Sequence, residues 1–125
     1  MDYQDIVAAE LIAHNITLCT GCEDAGSHAR GYALPDAREI HYSAKMATRA
    51  TLHGFLHEVG HIIKGHGKAS KLKRWEQELE AEEYATTSMR IYGISVPRKT
   101  QTRGSSYVAR MKRWGRNIAA GRRRA

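Results

Sequence analysis

The spacing of apolar residues predicts two long helices in the centre of the chain, with a small sheet before them. The first central helix is predicted to begin at Ser43 or Thr48 and to run to Lys64, because apolar residues recur there every three or four positions. The second is predicted over residues 70–92, with a glycine after it as a stop. Residues 3–14 predict a short amphipathic helix with Ile6, Val7, Leu11 and Ile12 on its buried side. Three shorter runs predict strands at residues 16–20, 28–34 and 38–43.

The first central helix carries the sequence His-Glu-Val-Gly-His at residues 57–61. His57 and His61 are four residues apart, so their imidazoles lie on one side of the helix and can bind the same metal ion. Glu58 is offset by roughly 100° around the helix axis, beside the open side of such a metal. These residues predict a zinc site in which Glu58 is the catalytic base that deprotonates water. The apolar side of the helix is formed by Leu52, Phe55, Leu56, Val59, Ile62 and Ile63.

The second central helix carries two glutamates on its apolar side. Glu78 and Glu82 lie within a stripe of apolar residues, where a carboxylate is costly unless it is paired or binds a metal. We expect Glu78 to be the third zinc ligand and Glu82 to accept the other N–H of a ligand histidine. The reverse assignment of these two residues is the alternative. Three further acids fall on the opposite side of the helix and are interpreted as surface residues: Glu76, Glu80 and Glu83.

Five further residues are candidates for contact with a substrate or its oxyanion. His53 precedes His57 by one helical turn and faces the same side, although a surface histidine is the simpler interpretation. His66 follows the helix and is expected at the edge of the cleft or in a loop. Tyr84 is a candidate oxyanion helper, as are Tyr92, Tyr107 and His66. A peptide substrate is expected to add as a strand along residues 38–43.

The C-terminal part of the chain is strongly basic, whereas the rest is mildly acidic. Ten of the 20 Lys and Arg residues follow Pro97, and all 13 Asp and Glu residues precede it. We therefore expect one domain over residues 1–97, with a basic helix or tail at 98–125 packed on it. An apolar stripe predicts a helix over residues 105–120. Its cations either contact nucleic acid or an acidic protein, or form a solvated face. The cations concerned, in this helix and in the three arginines that follow it, are Arg110, Lys112, Arg113, Arg116, Arg122, Arg123 and Arg124.

The composition is that of an ordinary water-soluble domain. A chain of 125 residues can form one domain with a modest core. No run approaches the roughly 20 apolar residues of a membrane-spanning helix. The first residues lack the basic stretch of a secretory signal, so we expect a cytoplasmic protein.

The two cysteines form a single Cys-x-x-Cys sequence at Cys19 and Cys22. There is no second pair with which they could complete a zinc site. We expect free thiols near a turn, and a second metal site or a redox role is the alternative.

The two central helices resemble the ImmA/IrrE family of zinc metallopeptidases, over roughly residues 30–93. Residues 57–61 resemble that family's His-Glu-Leu-Gly-His sequence, and Gly-His follows at 65–66 as it often does there. Residues 78–85 resemble its Glu-x-Glu-Ala-Asn-x-Phe-Ala sequence, which implies that Glu78 is a zinc ligand. Glu82 stands at the family's Asn position, as an acid does in thermolysin-like gluzincins, and the family's Leu-Met-Pro sequence is absent. The resemblance also implies an origin in a phage or mobile element, and a repressor protein as substrate.

These observations predict an α+β fold of minimal zincin-like type, in which a three-stranded sheet packs on the two central helices. The predicted function is a zinc-dependent metallopeptidase with one Zn²⁺ per chain, acting on a protein or peptide. The alternative is a nucleic-acid- or protein-binding module, in which the zinc is structural or vestigial and the basic C-terminal segment is the working part.

Overall fold

The structure, a computed structural model, describes residues 2–20, 31–42 and 45–119, with some side chains of the last helix left out. The described chain is a mixed α+β structure with a three-stranded sheet, so the predicted α+β class is confirmed. Its elements are α1 (Tyr3–Ala13), β1 (Thr17–Cys19), β2 (Gly31–Leu34), a 3₁₀ turn (Pro35–Ala37), β3 (Glu39–Tyr42), α2 (Arg49–Ile63), α3 (Arg74–Ile91) and α4 (Arg98–Ala119).

The sheet has the strand order β1-β3-β2, so β3 lies in its centre. β1 pairs with β3 in parallel, and β2 pairs with β3 in antiparallel orientation. Ile40 of β3 lies opposite Leu18 on one side and Ala33 on the other, and it is completely buried. Because both edges of β3 are already paired, a substrate cannot add along residues 38–43, and that prediction is wrong. Within the described chain, the edge strand beside the two central helices is β2.

The cysteine prediction is also corrected by the structure. Cys19, at the end of β1, is bonded in a disulfide, so it is not the free thiol expected from the sequence. Cys22 and the predicted turn at 21–27 lie outside the described residues.

The ends of α2 follow its sequence signals. Thr48 is the N-cap, and its side-chain oxygen accepts a hydrogen bond from the backbone N–H of Thr51 at 3.1 Å. The helix ends before Gly65, which has a φ of +68° that favours glycine. Of the two starts proposed, Thr48 is confirmed, and Ser43 lies outside the described residues.

The start of α3 was predicted four residues too early. Lys73 is its N-cap, and the backbone N–H of Lys73 donates a 2.9 Å hydrogen bond to Glu76. Ser70 instead stabilises the preceding loop, where its hydroxyl accepts a hydrogen bond from the backbone N–H of Leu72 at 3.3 Å. The predicted stop is confirmed, because Gly93 has a φ of +76° directly after the helix.

The two central helices pack closely because small residues face each other. A Cβ atom at Gly60 of α2 would lie 3.0 Å from the Cα of Ala81 and 3.1 Å from the Cβ of Tyr84 on α3. The apolar side of α2 points away from this contact and is buried against the sheet and α1. The close approach of the two helices brings the polar sides of α2 and α3 together. The buried residues of α2 include Leu52, Phe55, Leu56, Val59 and Ile62.

The inward side of α1 differs from the prediction at one position. Ile6 and Val7 are buried as expected, but Ile12 is 82% exposed. Ile12 lies on the far side of the helix from Ile6, because each residue advances by about 100° around the axis. The inward position is taken by Glu10, which is buried. Its carboxylate accepts hydrogen bonds from the hydroxyls of Tyr84 at 2.6 Å and Tyr92 at 2.9 Å.

We expect the hydrogen bonds from Tyr84 and Tyr92 to Glu10 to stabilise the protein at neutral pH, and this stabilisation to be lost in alkali. Burial, and then the hydrogen bond to Glu10, raises the pKa of Tyr92 to about 12, and the same causes raise the pKa of Tyr84. The folded chain therefore holds these protons more tightly than the unfolded chain, in which the pKa of tyrosine is about 10. This contribution to stability is complete below about pH 10 and is lost as the pH rises through the folded pKa values.

Urea denaturation between about pH 9 and 11.5 measures this effect. The free energy of unfolding should fall above about pH 10, and it should fall less steeply in the double variant Tyr84→Phe, Tyr92→Phe. Equal slopes in the variant and the wild-type protein would contradict the prediction.

The basic segment forms α4, which begins seven residues before the predicted helix and packs on α3. Its start, Arg98, directly follows Pro97. The Lys112 ammonium lies 5.1 Å from the ring centroid of Trp75, within the range of a cation–π contact. Tyr107, Met111, Trp114 and Ile118 belong to the side chains that the structure leaves out. In the described part of the chain, none of the helices combines the length and apolar character needed to cross a membrane.

Candidate metal centre

Three side chains of α2 and α3 converge on one point. His57 Nε2 lies 3.2 Å from His61 Nε2 and 2.9 Å from Glu78 Oε2. The distance from His61 Nε2 to Glu78 Oε1 is 3.5 Å. Ligand atoms at about 2.0–2.1 Å around a tetrahedral zinc ion lie about 3.3 Å from one another. The three observed distances scatter around this value, with the two that involve Glu78 ending on different oxygens, and one ligand atom from each residue lies within 4.8 Å of the others, so this group could hold a metal ion.

Without a metal, His57 and Glu78 carry opposite charges. Burial alone would lower the pKa of His57, but its hydrogen bond to Glu78 and its contact with the Glu82 carboxylate outweigh burial and raise this pKa to about 10. Burial likewise opposes ionisation of Glu78, yet its hydrogen bond to His57 and the nearby His61 imidazole hold its pKa well below the usual range. Glu78 is therefore a carboxylate, which is the form that binds metals. A cation must displace the imidazole proton, so metal binding should release protons.

Glu58 lies beside this group and contacts the sheet. It lines the same cleft as the two histidines, and its carboxylate accepts a hydrogen bond from the backbone N–H of Ala33 on β2. Burial raises the pKa of Glu58 to about 7, assisted by the nearby carboxylates and opposed by His57 and the Ala33 N–H. A carboxyl group with a pKa near 7 can both accept and release a proton at neutral pH. The position and the pKa of Glu58 suit a general base.

Glu82 lies behind His57, one helical turn after Glu78. Its Oε1 atom is 2.7 Å from His57 Nδ1, the nitrogen that faces away from the convergent point. This distance is short, but the two groups do not have the geometry of a hydrogen bond. The contact between His57 Nδ1 and Glu82 is therefore described as an ion pair. The structure thus places Glu78 with the histidine Nε2 atoms and Glu82 with the outer nitrogen. This is the arrangement expected first from the sequence, rather than its reverse.

His53 is buried, which corrects its interpretation as a surface histidine. Only 2% of the residue is exposed, because α3 covers this side of α2. Its Nε2 atom lies 3.4 Å from the hydroxyl of Thr86 and 3.8 Å from Glu82 Oε2. Burial lowers the pKa of His53, against the opposing charge of Glu82. His53 also borders the cleft, so it can still contact a substrate.

His66 and Glu80 are connected to the centre in a way that the sequence pattern did not indicate. His66 lies in the loop after α2 and borders the cleft as expected, but it is buried, and its Nδ1 atom lies 2.9 Å from His61 Nδ1. Its Nε2 atom lies 2.7 Å from Glu80 Oε1, so Glu80 is not simply a surface acid. Helical phase carries no information on His66, which lies beyond the end of α2.

Tyr84 does not face the cleft. Its hydroxyl is bonded to Glu10 on the opposite side of α3, as is that of Tyr92, so neither is placed to stabilise an oxyanion at the centre. The side chain of Tyr107 is outside the described residues. Of the candidates considered, His53 and His66 are the ones that border the cleft.

The cleft in front of the centre has a volume of about 690 Å³. One wall is the edge strand β2 with Pro35, the floor is α2, and the other wall comes from α3 and α4. Arg74 and Arg110 supply positive charge at this opening. Of the other basic residues considered, Lys112 and Arg113 are exposed, whereas the side chain of Arg116 and residues 122–124 are not described.

The structure therefore brings His57, Glu58, His61, Glu78 and Glu82 together around one cleft. It separates Tyr84 from them and adds His66 and Glu80. Comparison with family models, with characterised proteins and with solved structures gives no match for this chain.

Proposed function

We propose that this protein is a zinc-dependent metallopeptidase with a minimal zincin-like fold, similar to the ImmA/IrrE type. The observation that carries the proposal is the convergence of His57, His61 and Glu78, whose nitrogens and carboxylate oxygens lie 2.9, 3.2 and 3.5 Å apart, close to the spacing around a tetrahedral zinc ion. Three protein ligands leave one position for water, which is typical of catalytic rather than structural zinc. Glu58 beside this group supplies the base that hydrolysis needs.

The residues of the chain have distinct tasks in the proposed reaction. His57, His61 and Glu78 would hold the zinc ion, which would supply Lewis-acid chemistry that makes water nucleophilic near neutral pH. Glu58 takes the proton from the attacking water and passes it to the leaving amine. Glu82 restrains His57 from behind.

The edge strand β2 suits an extended peptide as substrate. A peptide can add a strand to an exposed sheet edge through main-chain hydrogen bonds. β2 borders the cleft, and in the described residues no strand pairs with its outer edge. This location replaces the one expected at β3, and it places the peptide between the sheet and the metal ligands.

Metal content and hydrolysis test the proposal together. Purified protein reconstituted with zinc should hold about one zinc per chain by mass spectrometry of the metal. It should cleave an unfolded protein such as denatured casein, lose that activity with 1,10-phenanthroline, and regain it when zinc is added back. Wild-type protein that takes up no zinc would contradict the proposal.

A second candidate function is favoured by the exposed cations of α4. Arg110, Lys112 and Arg113 are exposed and can attract an acidic partner such as nucleic acid. In that case the zinc would only stabilise the fold. Zinc-loaded protein that cleaves nothing, but binds nucleic acid with a strong dependence on salt, would favour this function over hydrolysis.

A further inference from the structure

His66 and Glu80 continue the candidate metal centre away from the cleft. His66 Nδ1 lies 2.9 Å from His61 Nδ1, and His66 Nε2 lies 2.7 Å from Glu80 Oε1. The His66 side chain is 1% exposed, whereas that of Glu80 is 40% exposed. A hydrogen-bonded chain therefore runs from a ligand histidine, through a buried imidazole, to a carboxylate at the surface.

The chemistry of these groups selects one arrangement of protons when His66 is neutral. An ionised carboxylate can only accept hydrogen bonds, so Glu80 requires the proton of His66 on Nε2. A neutral imidazole has a single N–H, so the Nδ1 atom of His66 must be an acceptor. The donor to it is then the Nδ1–H group of His61. In consequence, His61 Nε2 carries a lone pair that points to His57 and Glu78.

We propose that His66 and Glu80 are positioning residues that hold His61 in its metal-binding tautomer. The proposal rests on the zinc site described under the proposed function. In the other tautomer, the N–H group of His61 would lie on Nε2, 3.2 Å from His57 Nε2, where a metal would have to displace its proton, which weakens metal binding. Glu80 selects the tautomer of His66, and His66 in turn selects that of His61.

The two ligand histidines are thus supported by different carboxylates. Glu82 contacts the outer nitrogen of His57 directly, at 2.7 Å. The outer nitrogen of His61 is reached by Glu80 only through His66. Outer partners of this kind typically change metal affinity by about 10-fold to 100-fold when they are removed.

Zinc affinity of the full chain, measured by competition with a chelator, is the first test. His66→Phe keeps a ring in the buried position and removes both nitrogens, so it should weaken zinc binding by about 10-fold to 100-fold. Glu80→Ala should have a smaller effect in the same direction, and Glu80→Gln, which keeps an acceptor oxygen, should restore most of the affinity. Glu83→Ala, an exposed residue of the same helix, is the matched control and should leave affinity unchanged.

The tautomer itself is the second test, because a purely structural role would not determine it. Nitrogen-15 NMR of the metal-free protein distinguishes an N–H nitrogen from one with a lone pair. We expect His61 to be protonated at Nδ1 in the wild-type protein, and the Nε2–H form to gain population in His66→Phe.

Two results would overturn the inference: zinc affinity of folded His66→Phe within about twofold of the wild type, or a wild-type His61 protonated at Nε2. If the wild-type protein binds no zinc, the proposed function fails instead, and the NMR result still decides the tautomer.

Discussion

Replacing Glu58 with Gln should reduce peptide hydrolysis by roughly three orders of magnitude. The amide has nearly the shape of the carboxylate but cannot take a proton from water. Glu58 is not one of the three convergent ligands, so the zinc content and the thermal midpoint of the variant should stay close to those of the wild type. The measurement is kcat/KM on an unfolded protein substrate, together with the zinc content of the same preparation.

Glu83→Gln is the matched control for Glu58→Gln, because it makes the same chemical change at an exposed position on α3. It should retain full activity. A zinc-loaded Glu58→Gln variant that hydrolyses the substrate at the wild-type rate would exclude Glu58 as the general base. If zinc-loaded wild-type protein shows no hydrolysis either, the binding function of α4 becomes the better explanation.

Replacing Glu78 with Ala should weaken zinc binding by more than about a hundredfold, which exceeds the usual effect of an outer partner. The variant loses the ligand that brings α3 to the metal, and two histidines of a single helix remain. It also leaves His57 without the carboxylate that contacts its Nε2 atom at 2.9 Å. Zinc affinity by chelator competition, and zinc per chain after dialysis, measure the loss.

The variant Glu82→Ala distinguishes the role of Glu82 from that of Glu78. Glu82 contacts the outer nitrogen of His57, so its removal should weaken zinc binding less than removal of Glu78 does. A larger loss in Glu82→Ala than in Glu78→Ala would reverse the assignment and make Glu82 the ligand.

The sequence was most informative where a long helix has one buried side. The apolar spacing of α2 predicted both its extent and the outward direction of His57 and His61, because helical phase is a local property. The same reasoning on α3 singled out Glu78, which is buried, among its glutamates. A carboxylate within an apolar stripe requires a partner, and the partner proved to be the histidine pair of α2.

Features that depend on contacts between distant segments were not predicted. The strand order of the sheet cannot be inferred from the alternation within each strand, so β3 was mistaken for an edge. His66 lies beyond the end of α2, and only the folded loop brings it against His61. Glu80 has the phase of a surface residue, and it contacts His66 because that loop folds back over α3.

The contact between Gly60 and Ala81 has a further consequence for ion selectivity. The donors of the centre come from two helices, so the size of the ion that they fit depends on how far apart the helix axes are. Because Gly60 has no side chain and Ala81 has a small one, the distance between the two helix axes is near its minimum at this contact. Larger side chains at Gly60 or Ala81 would increase the distance between the helices. The donor atoms would then lie farther apart and would suit larger cations. In the proposed metal centre, the space between the donors would therefore depend on Gly60 and Ala81, two residues that are not themselves ligands.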